Sequence, residues 1–250
     1  MILDSLITVV EKSARGKRIK DVRAGLGYTA VLLDNNSCGL AYTFRNELGP
    51  CCSAFGRAGE IKGIDCTEAI KWSKSRNLVQ SAIGVATINA LLQNRVKEYE
   101  CDNVFKVLDI GVNDVLGVIG DFKPLTNGRG KSAKKMYVFE RKTSNTDNYY
   151  PDHSISEHLP KCDIVVITST SIINKTFDNI IEYCKGARKV AMVGATTPLC
   201  TEVFSKYKID ILAGVLVLNP IKLLDIVSQG GGTKHFDNNV KQIYIDMGNM

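Results

Sequence analysis

The sequence predicts an α/β protein in two parts: a smaller α+β part, then a Rossmann-like domain built on a parallel sheet. Three observations carry this reading. An amphipathic N-terminal stretch leads into three short strand-like runs separated by turn residues. From Val104 onward, apolar β-branched runs alternate with helical stretches. Those runs, such as Ile164–Thr168 (IVVIT) and Lys189–Val193 (KVAMV), lack polar alternation, as strands covered on both faces do. Right-handed crossovers then make a doubly wound topology the natural choice.

Each element follows in order. Residues 1–15 place Ile2, Leu3, Leu6, Val9 and Val10 on one helical face. Ile19–Ala24, Tyr28–Asp34 and Gly39–Phe44 read as a β-meander, with Gly25, Gly27 and Asn35-Asn36-Ser37 at its turns. Cys66–Ser73 and Leu78–Val96 read as helices, and the small residues of SAIGVATINALL allow the second to pack closely on a sheet. In the second part, strands are expected at Val104–Ile110, Val115–Ile119, Met136–Glu140, Ile164–Thr168, Lys189–Val193 and Ile211–Ala213. Helices are expected at Ile172–Lys185, Leu199–Tyr207 and Pro220–Val227, and an edge strand from Val240.

Composition excludes several classes. The chain is 44% hydrophobic and 23% charged, which is ordinary for a globular protein and argues against disorder. Its longest apolar runs fall well short of the roughly 20 residues of a membrane span. The N-terminus carries Asp4 and no basic lead, so a cytoplasmic protein is expected. The net charge of +6 is not gathered in one basic tract, and no nucleic-acid module is present, so no nucleic-acid partner is expected. The local basic run RGKSAKK (Arg129–Lys135) reads first as a solvated loop and second as a lid approaching phosphate. The eight cysteines have no CxxC spacing and read mostly as reduced, buried, small apolar residues. A homodimer is the prior expectation, since two-fold assemblies are the commonest.

Position selects the candidate site. In an open α/β sheet, ligands bind at the carboxyl ends of the strands. There the sequence places Gly120-Asp121, Glu140, Thr168 to Ser171, and Gly194-Ala195-Thr196-Thr197-Pro198. In the last segment, Thr196 or Thr197 can cap a helix that Pro198 starts, leaving amides for an anion. An ordinary cap without ligand is the competing reading. Glu140 stands where a dinucleotide fold holds a ribose hydroxyl, but GDFKPL is not GxGxxG. Its alternatives are a solvated strand end, or an ion pair near Arg141 and Lys142. His153 and His158, with Asp152 and Glu157, lack zinc-site spacing and read as surface loop; the Cys51-Cys52 pair reads as packed thiols. No GxSxG elbow or Walker sequence is present, so no catalytic residue is assigned. Asn89 and Arg23 are polar exceptions in apolar stretches; a buried Asn89 must find hydrogen bonds, pinning its helix to a loop or facing a cleft.

The order of these stretches resembles the family labelled "putative heavy-metal chelation". The resemblance runs through GLGYTAVLL, CGLAYTF, SAIGVATINALL, VIGDFKPL, MYVFER, HLPKCDIVVITSTSIINKTFDNII, KVAMVGATTPL, DILAGVLVLNP and VSQGGG. It implies an enolase N-terminal-like domain over residues 1–100 and a Rossmann-like domain over 101–250. It also implies a pocket between them bounded by Asn89, Gly120, Asp121, Glu140, Thr168, Thr170, Gly194, Thr196 and Thr197. GATTP stands where the family often shows a Gly-Pro-Ser-Thr type turn, and alanine for proline leaves the turn amides available. No Cys or His lies in a motif that the resemblance marks as a metal ligand.

Two functions follow from different classes. The first is a protein that binds a small anionic ligand or a metal-chelate between the domains, with Asp121 and Glu140 on the cationic part and the GATT amides on the anionic part. On this reading the cofactor is a metal ion or metal-chelate. The second is an enzyme with a nucleotide-like or pterin-like cofactor at the strand ends, with Glu140 on a hydroxyl or ring nitrogen. A purely structural role fits a cleft lined with Gly, Thr and acids less well.

Overall fold

The computed structural model describes residues 1–49, 53–141 and 148–249. The Cys51-Cys52 pair and Lys142 lie outside the described residues. Among the described residues, strands form two sheets. The smaller is an antiparallel meander of β1 (Ile19–Ala24), β2 (Tyr28–Leu33) and β3 (Cys38–Tyr42). The larger contains β4 (Val115–Ile119), β5 (Lys135–Phe139), β6 (Tyr149–Tyr150), β7 (Ile164–Thr168), β8 (Lys189–Val193), β9 (Ile211–Val217) and β10 (Val240–Asp246). Its strand order is β10-β9-β8-β7-β4-β5-β6, parallel except for β10 at the edge. The protein is thus mixed α/β, with a Rossmann-like sheet after a smaller α+β part.

Both sheets are covered on both faces. The long helix Leu78–Leu92 packs on β2 and β3, burying Val31, Leu33 and Ala41. Its approach requires small residues: a Cβ on Gly39 would lie 2.1 Å from the Ala86 carbonyl oxygen. Helix Pro220–Ser228, from the other end of the chain, covers the second face through Ala30, Leu32 and Leu40. This explains why YTAVLL is apolar throughout. In the larger sheet, Leu116, Val118, Ile164 and Val166 point to one core, while Ile119, Phe139, Val165 and Ile167 point to the other. The N-terminal helix Ile2–Ala14 joins that second core, and its Ile2 amide donates to Asp178 at 2.9 Å.

Five expectations are corrected. Val104–Ile110 is not a strand: Asn103 accepts from the Phe105 amide at 3.0 Å and caps a short helix, Val104–Val107. Ile172–Lys185 is not one helix. Lys175 takes a left-handed φ of 64° while its ammonium donates to the Ser75 and Ile173 carbonyls and the Ser81 hydroxyl, so helix begins only at Phe177. The helix expected at Leu199–Tyr207 shrinks to Thr201–Phe204. Leu78–Leu92 ends short of Val96, with a 3₁₀ turn over Gln93–Arg95. The RGKSAKK run precedes β5, at the opposite end of the sheet from the carboxyl rim, so it supplies no lid.

Candidate functional site

The chain starts the large sheet at β4, adds β5 and β6 on one side, then returns to add β7, β8 and β9 on the other. The strand ends therefore diverge between β4 and β7, and loops leaving them open a crevice. A hollow of about 1080 Å³ lies there, at the upper end of the roughly 300–1,000 Å³ range of small-molecule sites. Gly120, Asp121, Glu140, Thr168, Thr170, Gly194 and Thr196 all line it. Asn89 and Thr197 do not. They border a crevice of about 10 Å³ behind the Gly194 turn, with room for a single water at most.

Each rim residue is held by local chemistry. Gly120 has a φ of +87°, which turns the chain off β4, and its amide donates to the Phe139 carbonyl at 2.8 Å. Asp121 accepts from Thr126 Oγ1 at 2.9 Å, Tyr149 OH at 2.8 Å and Lys123 Nζ at 2.5 Å. Burial works against its charge, but these three donors outweigh that and lower its pKa. Glu140 accepts from the neighbouring Arg141 amide at 2.9 Å, and among the described residues its carboxylate has no cationic partner. Thr168 and Thr170 share a hydroxyl–hydroxyl bond of 3.0 Å.

The Gly194 turn differs from the expected helix cap. Thr196 Oγ1 accepts from the Tyr42 amide at 2.9 Å, and Thr197 Oγ1 donates to the carbonyls of Gly194 and Ala213. The helix starts only at Thr201, after Cys200, with no side-chain cap. Both threonines are spent on tertiary contacts, and Pro198 precedes the helix without entering its first turn. Asn89 lies behind this turn, donating to the carbonyls of Leu40 and Thr196.

The opposite wall comes from the first part of the chain: Tyr28, Tyr42 and Phe44, in edge-to-face contact, with Asn46 and Glu47 beyond. Arg141 crosses the mouth. It pairs with Glu47 and, at 3.4 Å, with Asp152. The lining carries the carboxylates Glu47, Asp121, Glu140, Asp152 and Glu182 against this one guanidinium. His153 also lines the hollow, whereas His158 stacks on Tyr137 at 4.7 Å between ring centres. Arg23 is a surface residue paired with Asp21 at 2.9 Å.

Comparison with known proteins agrees with this architecture. Residues 103–246 match the DUF364 family, described as "Putative heavy-metal chelation", and residues 7–92 match DUF4213, which has the same description. The chain belongs to the DUF364 family. An uncharacterised protein of Methanocaldococcus jannaschii is 26% identical over 234 residues, covering 89% of this chain and 88% of that protein. A DUF364 protein of unknown function from Pyrococcus horikoshii has a crystal structure that superposes with a TM-score of 0.85. It is 25% identical, over 98% of this chain and 100% of that one. A DUF364 protein from Desulfitobacterium hafniense DCB-2 shares the fold, with a TM-score of 0.81, 21% identity, and 98% and 96% of the two chains covered.

The family description raises the question of which DUF364 residues here could hold a metal directly. Cys38, Cys66, Cys162, Cys184 and Cys200 are buried, and burial pushes the first four thiols up to about 12. Such thiols stay protonated at neutral pH, whereas the thiolate is the metal ligand. The described residues contain no group of three or more His, Cys, Asp or Glu side chains placed to hold an ion. The described side chains of this DUF364 chain therefore do not fit direct coordination by thiolate or imidazole. Among the described residues, no helix is long and apolar enough to cross a membrane.

Proposed function

We propose that the hollow binds a metal already wrapped in a small chelator, recognising the outside of the complex and contributing no ligand to the metal. The observation that carries this reading is the charge of the lining: Glu47 and Asp152 share the single charge of Arg141, Asp121 is paired with Lys123 and Glu182 with Lys185, and the Glu140 carboxylate has no cationic partner among the described residues. A partly enclosed site with excess carboxylate attracts a ligand whose surface is cationic or rich in N–H donors. Cys38, Cys66, Cys162 and Cys184 are buried with their thiols pushed up to about 12, so the family description is met by handling a chelate and not by chelating an ion. In this reading residues 1–100 supply the aromatic wall and Glu47, and residues 101–250 the other carboxylates of the rim. Glu140 is the principal contact to the cationic side.

The nucleotide reading has weaker support. Glu140 ends the strand beside β4, where a ribose would be held, but ionised Asp121 occupies the turn that a pyrophosphate would need. The helix after β4 spans only Lys123–Thr126 and adds little dipole.

Tris(ethylenediamine)cobalt(III) tests the proposal, because it is cationic, covered in N–H donors and inert to ligand exchange. The wild-type protein should bind it and melt at a higher temperature in its presence. Glu140→Gln should weaken binding severalfold, as removal of one charged hydrogen-bond acceptor does. No change in melting temperature at millimolar complex would sink the proposal.

A further inference from the structure

The floor of the hollow contains a buried hydroxyl with nothing to bond. Ser169 follows β7 at the point where the strand order reverses, is fully buried, and lines the hollow. Its Oγ has no hydrogen-bond partner among the described residues. An unpaired buried hydroxyl destabilises the fold, so its presence calls for a reason. Neighbouring hydroxyls do not share this condition. Thr168 and Thr170 bond each other, Ser171 donates to the Thr168 carbonyl at 2.7 Å, and Thr197 donates to two carbonyls.

Two further donors, in the turn that follows Gly194, are also unused. The backbone amides of Ala195 and Thr196 have no acceptor among the described residues, although both residues are buried and line the hollow. Gly194 joins the two features. It has a φ of +137°, and a Cβ there would lie 2.5 Å from Ser169 Oγ. The hydroxyl therefore packs directly against the Gly194 backbone, and any side chain at position 194 would collide with it.

We propose that Ser169 Oγ, with the Ala195 and Thr196 amides, is an oxygen-binding floor for the chelator. The amides can only donate, so the ligand atom they share with Ser169 must be an acceptor. An anionic oxygen, such as a metal-bound carboxylate, fits best because it gains charge-assisted hydrogen bonds. The ligand class narrows to metal complexes with oxygen donors on one side and cationic or N–H character on the other. This assignment rests on the chelate reading above.

A matched pair of inert complexes separates the two. Tris(glycinato)cobalt(III) presents carboxylate oxygens and amine hydrogens; tris(ethylenediamine)cobalt(III) presents amine hydrogens alone. By calorimetry, Ser169→Ala should weaken the glycinato complex about tenfold and leave the ethylenediamine complex unchanged. The same variant should raise the melting temperature of the ligand-free protein, since it removes an unpaired buried group and confirms that the fold survives. If the glycinato complex binds wild type and Ser169→Ala equally, or does not bind wild type while the ethylenediamine complex does, the floor assignment is overturned and the chelate reading stands. If neither complex binds wild type, both are overturned.

Discussion

Asn89 and Thr196 tie the long helix to the rim of the hollow. The Asn89 amide donates to the Thr196 carbonyl at 2.9 Å and the Leu40 carbonyl at 2.8 Å, while the Thr196 hydroxyl accepts from the Tyr42 amide. One helical side chain and one turn side chain thus occupy the outer edge of β3 and fix the meander against the Gly194 turn. The polar residue that interrupts ATINALL is there to satisfy backbone groups of two other segments.

Removing that link should be costly. Asn89→Ala strands two carbonyls and should lower unfolding stability by about 1–3 kcal/mol in urea titrations. Asn89→Asp should be worse, because a carboxylate would face two carbonyl oxygens. Wild-type stability in Asn89→Ala would show that water replaces the amide without loss.

Asp121 gives a pH prediction with a definite sign. Its native pKa is depressed: burial opposes the charge, and the bonds from Lys123, Tyr149 and Thr126 overcome it. A depressed carboxylate contributes stability above its unfolded value, near the ordinary 3.8, and that contribution is lost as pH falls through the native value. Carboxyl NMR titration should therefore place Asp121 below 3.8, and Tyr149→Phe should move it upward by removing one donor. An unmoved titration would mean that the phenol does not hold the carboxylate in solution.

Arg141 sets the charge of the mouth. Its pairs with Glu47 and Asp152 are partly exposed, so Arg141→Gln should change global stability by less than about 1 kcal/mol. It should nevertheless tighten binding of tris(ethylenediamine)cobalt(III), with a steeper dependence on ionic strength, because two carboxylates are released. Weaker binding in the variant would indicate that the guanidinium organises the site and does not merely neutralise it.

Much of the fold was legible because burial on both faces leaves an unambiguous pattern. Ile164–Thr168 and Lys189–Val193 are strands with the bounds read from sequence, and the meander and N-terminal helix lie where expected. Val104–Ile110 misled because an apolar β-branched run suits strand or helix equally, and Asn103 decides locally for helix. Strand-end position selected Gly120, Asp121, Glu140 and Gly194, and all four line one hollow. Thr196 and Thr197 were misread for a physical reason: a hydroxyl suited to capping a helix is equally suited to bonding a neighbouring strand. The aromatic wall of Tyr28, Tyr42 and Phe44 was invisible, since meander alternation says nothing about which rim the meander docks against. Ser169 was hidden among four consecutive hydroxyl residues, Thr168 to Ser171, and only its missing partner sets it apart.

The path of helix Pro220–Ser228 has a consequence for how the molecule comes apart. That helix roofs the meander, while Ile2–Ala14 packs on both the long helix of its own part and Thr201–Phe204 of the second, so each part helps to complete the interior of the other. A ribosome must release the chain through Ser228 before β1 and β2 can be sealed on both sides. Severing the backbone between the two parts would leave two fragments, each with a bare greasy surface. They should aggregate when made singly and regain solubility only when produced together.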